Sequence, residues 1–273
     1  MRTTPFFPPR VLSLVATATA VLFAAVAPAK AAVVYQTVYQ TDFNGAAGAF
    51  PGSNPTYADW TTKRSGTATP TTLSLNGSGV LQMANAAGAT GSQFTMALYE
   101  GSSSQVSNGK VTSVVQFVSN SNQSMGIMAR VQNPTADGAR PTGYFAGIWR
   151  DGTTNRLVIS KDIQFTDVGT YSIAASNAIS VSNFSYYRLE FEFEGDKLTA
   201  SLFSTSNGSL ITSISVTDSS YTTGVTGLRT NFRSDDRTVG YESFQLEAIP
   251  EPATAALLIP AGIAGLLLRR KLQ

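Results

Sequence analysis

Apolar and polar residues alternate in short runs along the middle of this chain, and turn residues separate the runs. In the run YYRLEFEFE, Tyr186–Glu194, every second residue is apolar and the intervening positions are mostly charged. A Gly-Asp pair at 195–196 follows, and a second alternating run, Lys197–Ser204, comes directly after it. This period of two, interrupted by turn residues, predicts β-strands joined by tight hairpins.

The same pattern recurs towards both ends of the middle region, and no segment of convincing length shows a helical period. Asp-Gly at 151–152 and Asn-Gly at 207–208 add two further hairpin signals. The other strands that the pattern predicts are Lys110–Ser119, Gln123–Gln132, Gly143–Arg150, Asn155–Lys161, Gly208–Val216, Gly224–Phe232 and Thr238–Ala248. Such regular spacing favours one all-β domain over residues 32–249, an antiparallel two-sheet sandwich or jelly roll.

The N-terminal segment has a different composition from this region. Arg2 and Arg10 flank a positive stretch, and the uncharged apolar run Val11–Ala27 follows. A small-x-small motif then ends at Ala31, so cleavage is expected between Ala31 and Ala32. The pattern predicts that residues 1–31 are a secretory signal peptide, and an uncleaved membrane anchor is the alternative.

The C-terminal segment, residues 250–273, is also distinct. Pro250, Glu251 and Pro252 precede the uncharged run Ala253–Leu268, and a basic cluster closes the chain. A helix over that run would be about 24 Å long against a hydrocarbon core of about 30 Å, so it can span a bilayer only marginally. The basic cluster after it, Arg269, Arg270 and Lys271, favours a membrane-spanning helix with a cytoplasmic end over a buried core helix.

This ordered tail resembles the PEP-CTERM sorting signal of Gram-negative bacteria. The resemblance rests on Pro250-Glu251-Pro252, the apolar run and the pair Arg269-Arg270. It implies export by the secretion machinery, transient anchoring in the inner membrane and recognition of Pro-Glu-Pro by an exosortase. The tail is then removed, and the protein is delivered to the cell surface or to an exopolysaccharide-containing extracellular matrix.

A second resemblance covers most of the middle domain. The runs YYRLEFEFEGDKLTASLF, GVTGLRTN and GYESFQLEAI look like the closing strands of concanavalin A-like lectin and glucanase sandwiches, and QTDFNG resembles the first strand. The resemblance implies that the first strand pairs with the last. Because lectins, glucanases and structural modules share this fold, it assigns no activity by itself.

The composition excludes several kinds of function. The chain has no cysteine and no histidine, so thiol chemistry and a Ser-His-Asp triad are excluded, and the usual zinc ligands are missing. Six of the 19 basic residues lie in the two terminal segments, which leaves 13 basic against 16 acidic residues in Ala32–Pro250. This balance argues against nucleic acid as a partner. Any catalysis would have to use carboxylates.

One such hypothesis is a glycoside hydrolase that uses Glu190 and Glu192. Alternation places them on the same strand face, about 6.5–7 Å apart. Retaining hydrolases separate their carboxyl groups by about 5–5.5 Å and inverting ones by about 6.5–9.5 Å, so this spacing permits catalysis. The run RLEFEFEGD is only loosely similar to the Glu-x-Asp-x-x-Glu pattern of related glucanases. We favour the alternative, a solvated charged face opposite the apolar stripe of Leu189 and Phe191, because the catalytic pattern is not matched.

The run GYFAGIWRDG supplies candidates for binding a carbohydrate. Alternation puts Tyr144 and Arg150 on one strand face, and Phe145 and Trp149 on the other. An exposed aromatic ring can stack on the C–H face of a sugar. If Trp149 faces outward it is the platform, and if it belongs to the core, Tyr144 and Arg150 are the exposed candidates.

A structural calcium ion is a further hypothesis, with Asp42 and Glu242 on strands expected to be neighbours. Calcium requires about six to eight oxygen ligands, and two carboxylates supply few of them. No cofactor is required by the sequence. The sequence therefore predicts an exported surface or matrix protein that is a non-catalytic carbohydrate-binding or structural module, with a hydrolase and a protein adhesion module as alternatives.

Overall fold

The protein is an all-β antiparallel sandwich of two sheets, as the sequence predicts. The computed structural model describes residues 33–52, 54–65, 72–85, 93–118, 123–132, 142–151, 154–161, 172–232 and 238–250. The predicted signal peptide and the hydrophobic tail after Pro250 lie outside the described residues. Within these ranges no helix is both long enough and apolar enough to cross a bilayer.

The described residues form the strands β1 to β16 and one turn of 3-10 helix, Pro55–Tyr57. The strands are β1 Gln36–Thr41, β2 Gly48–Ala49, β3 Trp60–Ser65, β4 Thr72–Leu75, β5 Leu81–Ala84, β6 Gln93–Tyr99, β7 Gly109–Phe117, β8 Gln123–Gln132, β9 Thr142–Asp151, β10 Thr154–Lys161, β11 Ser172–Ala175, β12 Tyr186–Glu194, β13 Lys197–Ser204, β14 Leu210–Thr217, β15 Val225–Phe232 and β16 Thr238–Ala248.

Two sheets contain all of these strands. One sheet has nine strands in the order β14-β13-β12-β7-β16-β5-β4-β2, and β1 pairs additionally with β16. The other has seven strands in the order β11-β10-β9-β8-β15-β6-β3. The first strand therefore pairs with the last, as the lectin resemblance implied.

The main core lies between the two sheets. Strand alternation drives its formation, because residues i and i+2 face the same side. On β12 the side chains of Leu189, Phe191 and Phe193 are fully buried, whereas Glu190 and Glu192 on the opposite face are half-buried. The prediction of a core-facing apolar stripe opposite a charged face is confirmed.

Seven rings form an aromatic cluster at one end of this core, with Trp60 in contact with most of them. The cluster consists of Tyr39, Phe43, Phe50, Tyr57, Trp60, Tyr99 and Phe244. The indole N–H of Trp60, on the seven-stranded sheet, donates to the Tyr39 hydroxyl at 3.0 Å. Since Tyr39 and Phe244 belong to the nine-stranded sheet, the aromatic cluster joins the two sheets.

A second apolar cluster lies on the other face of the seven-stranded sheet, which we call its outer face. Its buried members are Phe94, Met96, Leu98, Met128, Val131, Phe145, Val158 and Val225, and the half-buried Trp149 packs against them. The guanidinium of the buried Arg229 lies among these side chains, 5.1 Å from the centre of the Phe145 ring. Both faces of this sheet are therefore buried over much of their area, and β15 is buried at every position.

Candidate functional site

Four side chains form a row across the outer face of the seven-stranded sheet, which we call the Trp149 row. Trp149 on β9 is in register with Arg156 on β10 and with Ser124 on β8. Ser124 is in turn in register with Asn231 on β15. Antiparallel pairing of four neighbouring strands thus aligns an aromatic ring, a guanidinium, a hydroxyl and an amide.

The exposure of the Trp149 row decreases from one end to the other. Arg156 is exposed, Trp149 is half-buried, and Ser124 and Asn231 are buried. The Ser124 Oγ is shielded from solvent and has no hydrogen-bond partner among the described residues. An indole face beside a cation and polar groups has the chemistry to stack on a sugar ring and to bond its hydroxyls.

Tyr144 does not belong to this surface. It lies on the opposite face of β9, fully buried between the sheets. Its hydroxyl donates to Asp218 Oδ1 at 2.6 Å and accepts from the backbone N–H of Tyr221 at 3.1 Å. The hypothesis that Tyr144 contacts a ligand is therefore corrected: strand alternation turns it inward, where it fixes the segment that follows β14.

The carboxylate of Asp218 is the centre of that attachment. Lys161 Nζ donates to its Oδ2 at 2.7 Å, and the backbone N–H of Ser220 donates to Oδ1 at 2.9 Å. Burial favours the protonated acid, but the hydrogen bonds from Lys161, Tyr144 and Ser220 outweigh it and hold the pKa of Asp218 far below its usual range. The folded protein therefore stabilises the ionised form of Asp218.

We expect this arrangement to make the protein sensitive to acid. Because the pKa of Asp218 is lower in the folded than in the unfolded chain, the unfolded chain binds more protons below about pH 4, and stability falls with pH there. Urea denaturation between pH 6 and about pH 2 measures the effect. Asp218→Asn should be less stable at pH 6 and should lose part of the pH dependence; an unchanged dependence would contradict the assignment.

Arg150 is buried as well, with 4% of its surface exposed. Its Nε donates to Asn155 Oδ1 and its Nη1 to Asn183 Oδ1, both at 2.7 Å. The guanidinium carbon lies 4.2 Å from the centre of the Phe117 ring. The prediction that Arg150 contacts a ligand is corrected for the same reason as that for Tyr144, because both residues face inward. Among the three sequence candidates, Trp149 alone lies on an outer face.

Glu190 and Glu192 lie on the outer face of the nine-stranded sheet, as alternation predicts. Glu190 Oε1 is 3.0 Å from Arg188 Nε. Glu192 is in register with Lys110 on β7, and Lys110 Nζ forms an ion pair with Glu247 Oε2 at 2.9 Å. The two carboxylates are thus part of a mixed-charge surface, which agrees with the interpretation as a solvated face.

The two residues proposed for calcium, Asp42 and Glu242, lie directly after β1 and on β16. Their strands are neighbours, since β1 pairs with β16. The carboxylate of Asp42 accepts from the backbone and side-chain N–H groups of Asn44. The described part of the chain contains no group of three or more acidic side chains that could hold a metal ion.

A cleft that the sequence analysis did not predict lies at one end of the nine-stranded sheet. Its volume is about 390 Å³, and its lining residues come from the start of β12 and from the end of β13 and the turn after it. They are Ser185, Tyr186, Tyr187, Ser204, Thr205 and Ser206. We call it the hydroxyl cleft. The two segments lie 17 positions apart but meet because Tyr187 is in register with Ser204.

The residues predicted for processing lie almost entirely beyond the described part of the chain. Ala31, Ala32, Glu251, Pro252, Arg269 and Arg270 are outside it. Pro250 is described and exposed, two residues after the end of β16.

Comparison with known proteins finds similarity to solved structures of lectins. No protein-family model matches the chain, and no curated protein matches it. The solved structure of basic winged bean lectin with Tn-antigen has a TM-score of 0.52 and 10% identity, covering 80% of this chain and 100% of that one. The chain therefore shares its fold with that lectin.

Two further lectin-type structures agree with this result. The exoplasmic/lumenal domain of VIP36 in its Ca²⁺/Man3GlcNAc-bound form has a TM-score of 0.50 and 9% identity, covering 78% of this chain and 92% of that one. Lectin II from Ulex europaeus has a TM-score of 0.50 and 11% identity, with coverages of 71% and 94%. At these identities the similarity to the lectins concerns the fold alone.

Proposed function

We propose that this protein is a non-catalytic carbohydrate-binding module, exported and anchored at the inner membrane until an exosortase processes it. It then acts at the cell surface or in the extracellular matrix of a Gram-negative bacterium, where exopolysaccharide is its ligand. The observation that carries the binding function is the position of Trp149, half-buried on an outer face of a lectin-type sandwich and next to the exposed Arg156.

The fold supports this proposal without deciding it. Two of the similar structures are complexes with a sugar antigen and with Man3GlcNAc, so the scaffold accommodates glycans in those proteins. Since unrelated functions share a fold, the argument for this chain depends on its own side chains. Trp149 supplies a flat apolar face and Arg156 a hydrogen-bond donor, which together suit a ring bearing hydroxyls.

The delivery part of the proposal rests on the two terminal segments. The signal peptide and the Pro-Glu-Pro tail together form an export and sorting address. The exposure of Pro250 after β16 supports access of a processing enzyme to this motif. The intact mass of the protein recovered from the matrix tests it: loss of the apolar run and of Arg269-Arg270 is expected, and their retention would refute exosortase processing.

Tryptophan fluorescence tests the binding site directly. The chain has two tryptophans, and Trp60 is 2% exposed with its N–H bonded to Tyr39. A glycan that stacks on Trp149 should therefore shift the emission of Trp149 and protect it from acrylamide quenching. Loss of an aromatic hot spot costs about 2 kcal/mol or more, so Trp149→Ala should weaken binding about thirtyfold.

Leu210→Ala is the control for that substitution, because Leu210 is 55% exposed on the other sheet. It should leave the affinity for the isolated exopolysaccharide unchanged. If Trp149→Ala binds as the unsubstituted chain does, or if the exopolysaccharide leaves the Trp149 emission unaltered, the proposed site is wrong.

The two alternatives have less support among the described residues. A glycoside hydrolase would place its carboxylates in a cleft, whereas Glu190 is ion-paired with Arg188 and neither Glu190 nor Glu192 lines the hydroxyl cleft. A protein adhesion module would expose a contiguous apolar patch. In the described ranges the exposed large apolar side chains come from three separate segments, namely Val33, Val34, Phe184 and Leu210.

A further inference from the structure

The chemistry of the hydroxyl cleft is uniform. Each of its six lining residues carries a hydroxyl group, and none is charged. Its volume of about 390 Å³ is within the range of small-molecule sites, about 300–1,000 Å³. These lining residues contain no charged group that could pair with a charged ligand. They suit a neutral ligand that carries several hydroxyl groups.

The hydroxyls of the cleft retain bonding capacity. Thr205 Oγ1 donates to the backbone carbonyl of Tyr186 at 2.8 Å, and the hydroxyls of Ser204 and Ser206 share one hydrogen bond at 2.8 Å. The Tyr187 hydroxyl accepts from the backbone N–H of Ser182 at 2.7 Å. Since a hydroxyl can donate once and accept twice, these bonds orient the groups and leave sites for a ligand.

Phe184, the residue before the cleft wall, has an unusual conformation. Its φ is 60°, in the left-handed region that an aromatic residue rarely adopts, and its side chain is 67% exposed. Its N–H donates to the Phe117 carbonyl at 2.7 Å, and its carbonyl accepts from Gln116 Nε2 at 3.0 Å. Backbone strain persists where surrounding bonds enforce it and is concentrated at functional sites.

Tyr186 is held by the same part of the sheet. Tyr186 is in register with Gln116 on β7, and the Gln116 side chain donates to the backbone carbonyl of Phe184. Burial first, and then the charge of Glu242, raise the pKa of Tyr186, so the phenol stays neutral. Two hydrogen bonds from β7 thus hold the backbone of the exposed Phe184, which directly precedes the cleft residue Ser185.

We infer that the hydroxyl cleft and Phe184 form a second glycan-binding site, specific for a neutral sugar residue. The ring of Phe184 stacks on the apolar face of the sugar, and the cleft hydroxyls bond its hydroxyl groups. This site goes beyond the proposed function because it lies on the nine-stranded sheet and requires no residue of the Trp149 row. With both sites, one molecule could join two glycan segments of a matrix.

Affinity electrophoresis of the full chain tests this site. The probes are neutral glucan, mannan and galactan, with the acidic polysaccharide alginate for comparison, and Trp149→Ala is the background. A neutral probe should still retard that variant. Adding Phe184→Ala should lower the association constant about tenfold, whereas adding Leu210→Ala should leave it unchanged. Retardation by alginate alone, or by none of the probes, would overturn the inference.

A glycine at position 184 separates binding from packing. Glycine adopts a positive φ without strain, so Phe184→Gly should raise the thermal unfolding midpoint while it weakens binding to the neutral probe. A purely structural Phe184 would lower both the midpoint and the binding. The two sites fail independently: loss of binding with Trp149→Ala alone supports only the proposed function, and loss with the Phe184 variants alone supports only the cleft.

Discussion

Replacing Trp60 by alanine is expected to lower the free energy of unfolding by about 3–5 kcal/mol, the usual cost of removing a large aromatic ring from a core. Trp60 is 2% exposed and lies 5.0 Å from the ring of Phe244 and 5.7 Å from that of Phe50, centre to centre. The substitution also leaves the Tyr39 hydroxyl without the indole N–H. Because the aromatic cluster joins the two sheets, the cavity would weaken their contact.

Urea denaturation with matched variants checks this prediction. Trp60→Phe keeps a ring in the cluster and should cost clearly less than Trp60→Ala. Tyr39→Phe removes only the hydroxyl and should cost about 1 kcal/mol. A loss below about 1 kcal/mol for Trp60→Ala would mean that the aromatic cluster does not hold the sheets together.

The sequence predicted each described strand of eight or more residues. The predicted bounds of Gln123–Gln132, Tyr186–Glu194, Lys197–Ser204 and Thr238–Ala248 agree with the structure. The pattern failed for β2 to β6 and for β11. β4 and β5 have four residues each, which is too short for a period to stand out. On β6 the apolar run Met96–Tyr99 is unbroken, so it shows no alternation.

The site was predictable only in part, and the reason is physical. Alternation correctly placed Tyr144 and Trp149 on opposite faces of one strand, but it could not show which of these faces points to the main core. Both faces of the seven-stranded sheet bury apolar residues, so hydrophobicity does not distinguish them. The hydroxyl cleft could not be predicted, because serine, threonine and tyrosine are common residues. Only the register of β12 with β13 brings its six lining residues together.

Replacing Arg150 by methionine is expected to destabilise the fold by about 2–4 kcal/mol, since it removes charge-assisted hydrogen bonds from buried partners. Asn155 Oδ1 and Asn183 Oδ1 would each lose a donor, while the methionine would keep much of the apolar contact with Phe117. Burial lowers the pKa of Arg150, because removing a cation from water is costly. The hydrogen bonds of the guanidinium offset this cost in the folded protein.

Arg156→Met is the matched control, because Arg156 is exposed on the neighbouring strand and belongs to the Trp149 row. It should change stability by less than about 0.5 kcal/mol but weaken glycan binding, whereas Arg150→Met should do the reverse. Denaturant unfolding and fluorescence titration of the two variants measure both quantities. If Arg150→Met kept its stability and lost glycan affinity, the inward orientation of Arg150 would be wrong, and with it the assignment of the binding surface to Trp149.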